Sequence, residues 1–121
     1  MTDTATTKPN DLIASDRVEG TAVYNRAGER LGHISRFMVD KQSGQVRYAV
    51  LSFGGFLGLG NDHYPLPWSM LDYDTDQGGY VVDLTKETLE NAPRHLPEDQ
   101  PDYGDSYGRS VFNYYGLIYP W

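Results

Sequence analysis

The sequence predicts a mostly-β domain, a small barrel or sandwich, and three observations carry that expectation. Apolar residues recur with a period near two through much of residues 21–84. Turn signals built on Gly, Asn, Asp and Ser separate these runs at close spacing. The 121 residues amount to one domain that buries roughly two-thirds of its unfolded surface, enough for a single core.

The elements follow in order. Residues 1–11 are polar and Thr-rich and are expected to form a flexible tail. Leu12 and Ile13 open the ordered part, and Ser15-Asp16 suits the cap of a short turn. Ala22-Val23-Tyr24 is extended and runs through Asn25-Arg26-Ala27-Gly28-Glu29, a hairpin connection, into a second strand over roughly 30–40. In that strand Leu31, Ile34, Phe37 and Val39 are irregularly spaced, which predicts a bulge near Ser35-Arg36. Lys41-Gln42-Ser43-Gly44 is a turn, and Val46 to Phe53 is a strand apolar on both faces, hence central. A short strand follows around Tyr64-Pro65-Leu66, then an extended run from Trp68 to Tyr73. A loop over 74–79 leads to a last strand from Tyr80 to Leu84. Thr85 is placed to cap one short helix from Lys86 to Asn91, with Leu89 and Ala92 inward and Pro93 ending it. Residues 94–121 are rich in Pro, Gly and aromatic side chains, with a helix over about 105–115 as one option.

Composition narrows the function. Net charge is −7, from 17 acidic and 10 basic residues, and no Lys/Arg cluster offsets it. Nucleic-acid binding draws on cations that displace counterions from phosphates, so direct nucleic-acid binding is not expected, nor is docking on anionic lipid. Without cysteine there is no disulfide, thiol nucleophile or thiolate metal site. No apolar run approaches the roughly 20 residues of a membrane-spanning helix, and Met1 to Asn10 lacks a signal-peptide core. A cytoplasmic protein is expected.

Ordered motifs then point to a family. Gly20-x-x-Val23-Tyr24-Asn25-x-x-Gly28-Glu29-x-Leu31-Gly32-x-Ile34 resembles the opening of PRC-barrel domains. Gly44-x-Val46-x-Tyr48-Ala49-Val50, the run Gly54 to Gly60 and Tyr64-Pro65-Leu66-Pro67-Trp68 continue the likeness. Thr85-Lys86-Glu87-x-Leu89-x-x-Ala92-Pro93 is similar to the close of stand-alone bacterial members. The resemblance covers residues 12–93 and implies a small PRC-type β-barrel, with 94–121 as an aromatic-rich C-terminal tail packing on the barrel or on a partner. It also implies an interaction platform. Relatives include the cytoplasmic domain of the photosynthetic reaction-centre H subunit and the second domain of a ribosome maturation factor. An accessory role in a membrane complex or in ribosome assembly is therefore an alternative, as is small-ligand binding.

Candidate chemistry is sparse. Gly55-x-x-x-x-Gly60 has the glycine frame of a phosphate loop, but Asn61-Asp62 stands where Lys and Ser/Thr are required. Asp72-x-Asp74-x-Asp76-x-Gly78 starts like a Ca²⁺ loop, yet its glycine falls one place late and position 12 is Asp83. His33, His63 and His95 lack metal-motif spacing and read as polar surface residues. No Gly-x-Ser-x-Gly elbow is present. The expectation is a non-enzyme with no cofactor and no metal, whose partner is a protein, a second copy of itself included. Phe56, Leu57 and Leu59 form a contact loop or a plug in the barrel. Tyr114, Tyr115 and Trp121 complete the expected partner-binding set, inside a tail that either straps its own barrel or enters an interface.

Overall fold

The computed structural model describes residues 12–54 and 61–121. A short helix, α1 (Ser15–Val18), precedes β1 (Ala22–Asn25), β2 (Arg30–Val39), β3 (Val46–Gly54) and β4 (Asn61–Pro67). A 3-10 turn at Trp68–Met70 leads to β5 (Asp72–Asp74) and β6 (Gly79–Val82). Helix α2 (Lys86–Glu90), a 3-10 turn at Pro97–Asp99 and helix α3 (Asp105–Tyr114) complete the described chain. The fold is mostly β, as the alternating sequence predicts; α2 is the one short helix expected, α3 falls on the optional helix over 105–115, and α1 is an addition. The run from Trp68 is not one strand: its first residues turn, and only Asp72–Asp74 is extended.

Side chains set the turns. Asn25 is buried, and its Oδ1 accepts from the amides of Ala27 and Glu29, both at 3.0 Å, while its Nδ2 donates to Glu29 Oε1 at 2.7 Å. Gly28, at φ 86°, supplies the left-handed residue this tight connection needs. Asp40 Oδ1 accepts from Gln42 and Ser43, both at 2.9 Å, which holds its carboxyl below the usual carboxylate range. The expected bulge is present: β2 slips register against β3 between Ile34 and Arg36. A second slip between Met38 and Val39 turns Val39 outward, leaving it 45% exposed. Thr85 Oγ1 accepts from the Thr88 amide at 3.0 Å and caps α2, and Leu89 and Ala92 are buried as expected.

The six strands form one sheet in the order β4-β3-β2-β1-β6-β5, with β1 and β6 parallel and every other pair antiparallel. Laid flat, its edges β4 and β5 would stand roughly 24 Å apart. The link from Pro67 to Asp72 reaches at most about 18 Å when fully extended, and it contains a 3-10 turn. The sheet is therefore rolled, as the Trp68–Tyr80 ring contact at 5.5 Å also requires. No ladder joins β4 to β5 among the described residues, so the hydrogen-bonded sheet is open along that seam.

The inner face carries the main core. Val23, Leu31, Ile34, Ala49, Leu51, Leu66, Tyr80 and Val82 meet there, with Val18 and Leu89 added by α1 and α2. Strand β3 is central, and Tyr48, Val50 and Ser52 on its other face are buried too. The cover over Tyr48 is the C-terminal segment.

Candidate functional site

Register places three rows of side chains on the outer face of β2, β3 and β4. Met38 lies opposite Tyr48 and Tyr48 opposite Pro67; Arg36, Val50 and Pro65 form the next row; His33, Ser52 and His63 form the third. Directly opposed residues share a face of a sheet, so these nine side chains form one surface. Strand β4 is an edge, and its sequence suits one. In an antiparallel pair alternate residues point their N–H groups away from the partner. From His63 to Pro67 those positions are His63, Pro65 and Pro67, and proline has no N–H to leave unpaired. The remaining donor is used: the His63 amide donates to the His95 carbonyl at 2.8 Å, and the His95 amide to the His63 carbonyl at 2.9 Å.

From this bridge the chain crosses the outer face as a strap. Arg94 pairs with Asp62 at 3.1 Å, and Arg36 Nη1 donates to Gln100 Oε1 at 2.9 Å. Tyr103 sets its ring edge-on against Tyr48 at 5.3 Å and Tyr107 at 5.1 Å. Helix α3 then places Val111 and Phe112, both buried, over Tyr48. Gly108 makes this approach possible, since a Cβ there would lie 2.7 Å from Tyr48 Oη and 2.5 Å from Tyr119 Cε1. The helix ends where Gly116, at φ 72°, donates to Asn113 at 3.0 Å and Leu117 donates to Phe112 at 2.9 Å, a left-handed stop. The last residues fold back: Tyr119 Oη donates to Asp105 Oδ1 at 2.9 Å, and the Trp121 ring lies 4.1 Å from the Arg47 guanidinium, which also pairs with Asp40.

Burial under the strap perturbs titration. Tyr48 is pushed up to about 12, first by burial and then by Tyr119, and burial likewise raises Tyr103, Tyr107 and Tyr115. His63, expected on the surface, is 5% exposed, and burial is the main reason its pKa is lowered. His95, Arg36 and His33 lower it further, while Asp62 opposes them. The His63 ring stands edge-on to His95 at 5.7 Å, and His63 Nδ1 is buried with no hydrogen-bond partner among the described residues. His95 Nδ1 lies 2.8 Å from the Leu96 carbonyl, which can only accept, so that nitrogen carries the proton. Its Nε2 then accepts a hydrogen bond from the Tyr103 hydroxyl at 2.8 Å.

Of the sequence-expected contact residues, Phe56, Leu57 and Leu59 lie outside the described residues. Tyr114 is 38% exposed and ties α3 to α2 through its hydroxyl, which donates to the Thr88 carbonyl at 2.6 Å. Tyr115 is half-buried and packs against both the barrel core and the strap cluster. Trp121 is 42% exposed. The outer-face rows and Gly108 were missed in the sequence; alternating Pro65 and Pro67, and a glycine inside an aromatic helix, were their signals. Two open depressions flank Arg26, of about 410 Å³ beside Asp72 and Tyr73 and about 360 Å³ beside Glu29 and Asp83. Arg26 already pairs with Asp72 at 3.5 Å, so neither presents a free cation to an anionic ligand. Among the described residues no set of His, Asp and Glu is arranged to hold a metal ion, and no helix is long and apolar enough to cross a membrane.

A rolled, mostly antiparallel six-stranded sheet carrying a strapped outer face defines a small β-barrel-type domain. A family model of the PRC-barrel domain matches residues 10–89, and the chain belongs to that family. No curated protein matches the sequence. The strap lies beyond the matched region.

Proposed function

We propose that this chain is a non-enzymatic, cytoplasmic protein-interaction module whose contact surface centres on the exposed rim of the strap. The observation that carries the reading is a run of outward apolar side chains on a fixed frame. Tyr114, Ile118 and Trp121 are exposed, Ile118 at 91%. Tyr114 is held by its hydrogen bond to α2, with Tyr115 edge-on behind it at 5.1 Å. Trp121 is held by Arg47, Phe112 and Tyr119. Anchors ordered before binding lose little conformational entropy on association, and aromatic anchors dominate interface energetics. Phe56, Leu57 and Leu59, which lie outside the described residues, are proposed as further contact residues. The net charge of −7 favours a basic protein partner over RNA.

The test is a crosslinked pull-down from native lysate, comparing wild type, Trp121→Ser and Phe56→Ser/Leu57→Ser, each shown by circular dichroism to be folded. A specific partner lost in both variants supports the whole surface, and one lost in a single variant locates it. Equal recovery by all three refutes the proposed surface. Recovery only of the chain itself makes a homodimer the better account.

A further inference from the structure

We propose that His63 is an acid-sensitive latch: protonation of its ring undocks residues 94–121 from the outer face of β2, β3 and β4 and uncovers Tyr48. The strap enters that face through the His63–His95 bridge, the only main-chain ladder contact between it and the barrel among the described residues. The bridge is built on a ring that cannot easily be charged. An imidazolium has two N–H groups to satisfy, and His63 Nδ1 is buried with no acceptor among the described residues. The neighbouring charges oppose protonation as well. Strand β2 presents His33 and Arg36 to His63, and the strap presents His95. Asp62 is the one counter-charge, and it is already engaged by Arg94. Tyr103, packed edge-on to His95, is neutral at physiological pH and offers no relief.

The two histidines divide the roles. His95 bonds through both ring nitrogens, to the Leu96 carbonyl and the Tyr103 hydroxyl. His63 Nδ1 has no such partner among the described residues, so His63 gains from a proton only when the strap lifts and water reaches the ring. Opening takes up a proton, so acid favours it. The change begins as pH falls below the unperturbed histidine value of about 6.5 and levels off below the lowered value in the docked state.

Hydrogen exchange of the whole chain from pH 7.5 to 5.0, corrected for intrinsic rates, tests the latch. Protection of the α3 amides should fall by up to about tenfold per pH unit below 6.5, the limit for one proton taken up on opening, while the β2–β3 ladder amides hold. In His63→Gln that pH dependence should vanish with the strap still docked; in His95→Gln it should persist. A flat α3 profile in wild type overturns the proposal, as does the same fall in His63→Gln. Should His63→Gln lose its β3 protection as well, the His63 ring titration in wild type, followed by NMR, decides. A midpoint at or above 6.5, or one unlinked to the α3 shifts, refutes the latch.

Discussion

Truncating Phe112 to alanine separates the strap from the barrel energetically. The ring is 4% exposed and makes edge-on contacts to Tyr48 at 5.8 Å, Tyr119 at 5.4 Å and Trp121 at 5.8 Å. Buried Phe→Ala changes cost about 3–5 kcal/mol, and each edge-on aromatic pair contributes about 0.5–1.5 kcal/mol of that beyond its area. None of these contacts belongs to the inner core, where Ile34, Leu51 and Leu66 pack without Phe112. The loss should fall on docking. At about 1.4 kcal/mol per decade, a cost near 3 kcal/mol raises the open fraction of the strap by roughly two decades. Hydrogen exchange at pH 7.5 reads this directly: α3 amides lose about a hundredfold in protection and the β2–β3 ladder stays within a few-fold. A fall in α3 protection under tenfold, or an equal fall across the ladder, would refute the idea of two separable layers.

Gly108→Ala opposes two effects, since alanine improves the helix by about 1 kcal/mol but its Cβ meets Tyr48 Oη and Tyr119; α3 protection should fall, and a rise would contradict the close approach. Thr85→Ala removes the α2 cap and should lower the denaturation midpoint by the equivalent of about 1 kcal/mol in urea unfolding. A double-mutant cycle on Arg47 and Trp121 should return a coupling of about 0.5–1 kcal/mol, measured by chemical denaturation. Asp40, lowered by the Ser43 and Gln42 amides, binds its proton more readily when unfolded, so its stabilising effect is present above the unfolded carboxyl value and lost as pH falls through the lowered one. Asp40→Asn should therefore flatten the acid limb of a thermal melting profile, and an unchanged limb would speak against that turn.

Local rules made much of the barrel legible. Asn25 and Gly28, Asp40 and Gly44, and Thr85 mark connections whose hydrogen bonds stay within a few residues, so their chemistry is written in adjacent letters. The central position of β3 was readable because both of its faces are apolar. The identity of the second cover was not. Tyr48 meets Phe112 across 64 positions of sequence, and no period or turn signal encodes such a pairing. His63 misled for the same reason: beside Asp62 it reads as polar surface, and only the arrival of His95 over the β4 edge buries it. The rolling of the sheet followed from the short link at Trp68 to Leu71 once strand order was known, and strand order is a long-range fact.

The paired prolines of β4 bear on solubility. Exposed strand edges invite neighbouring chains to add on, and cells contend with the resulting aggregates. From His63 to Pro67, an intruding strand would find outward carbonyls but a single outward amide donor. A chain built this way can lose its C-terminal cover, through acid, proteolysis or truncation, without that stretch becoming a template for fibrils.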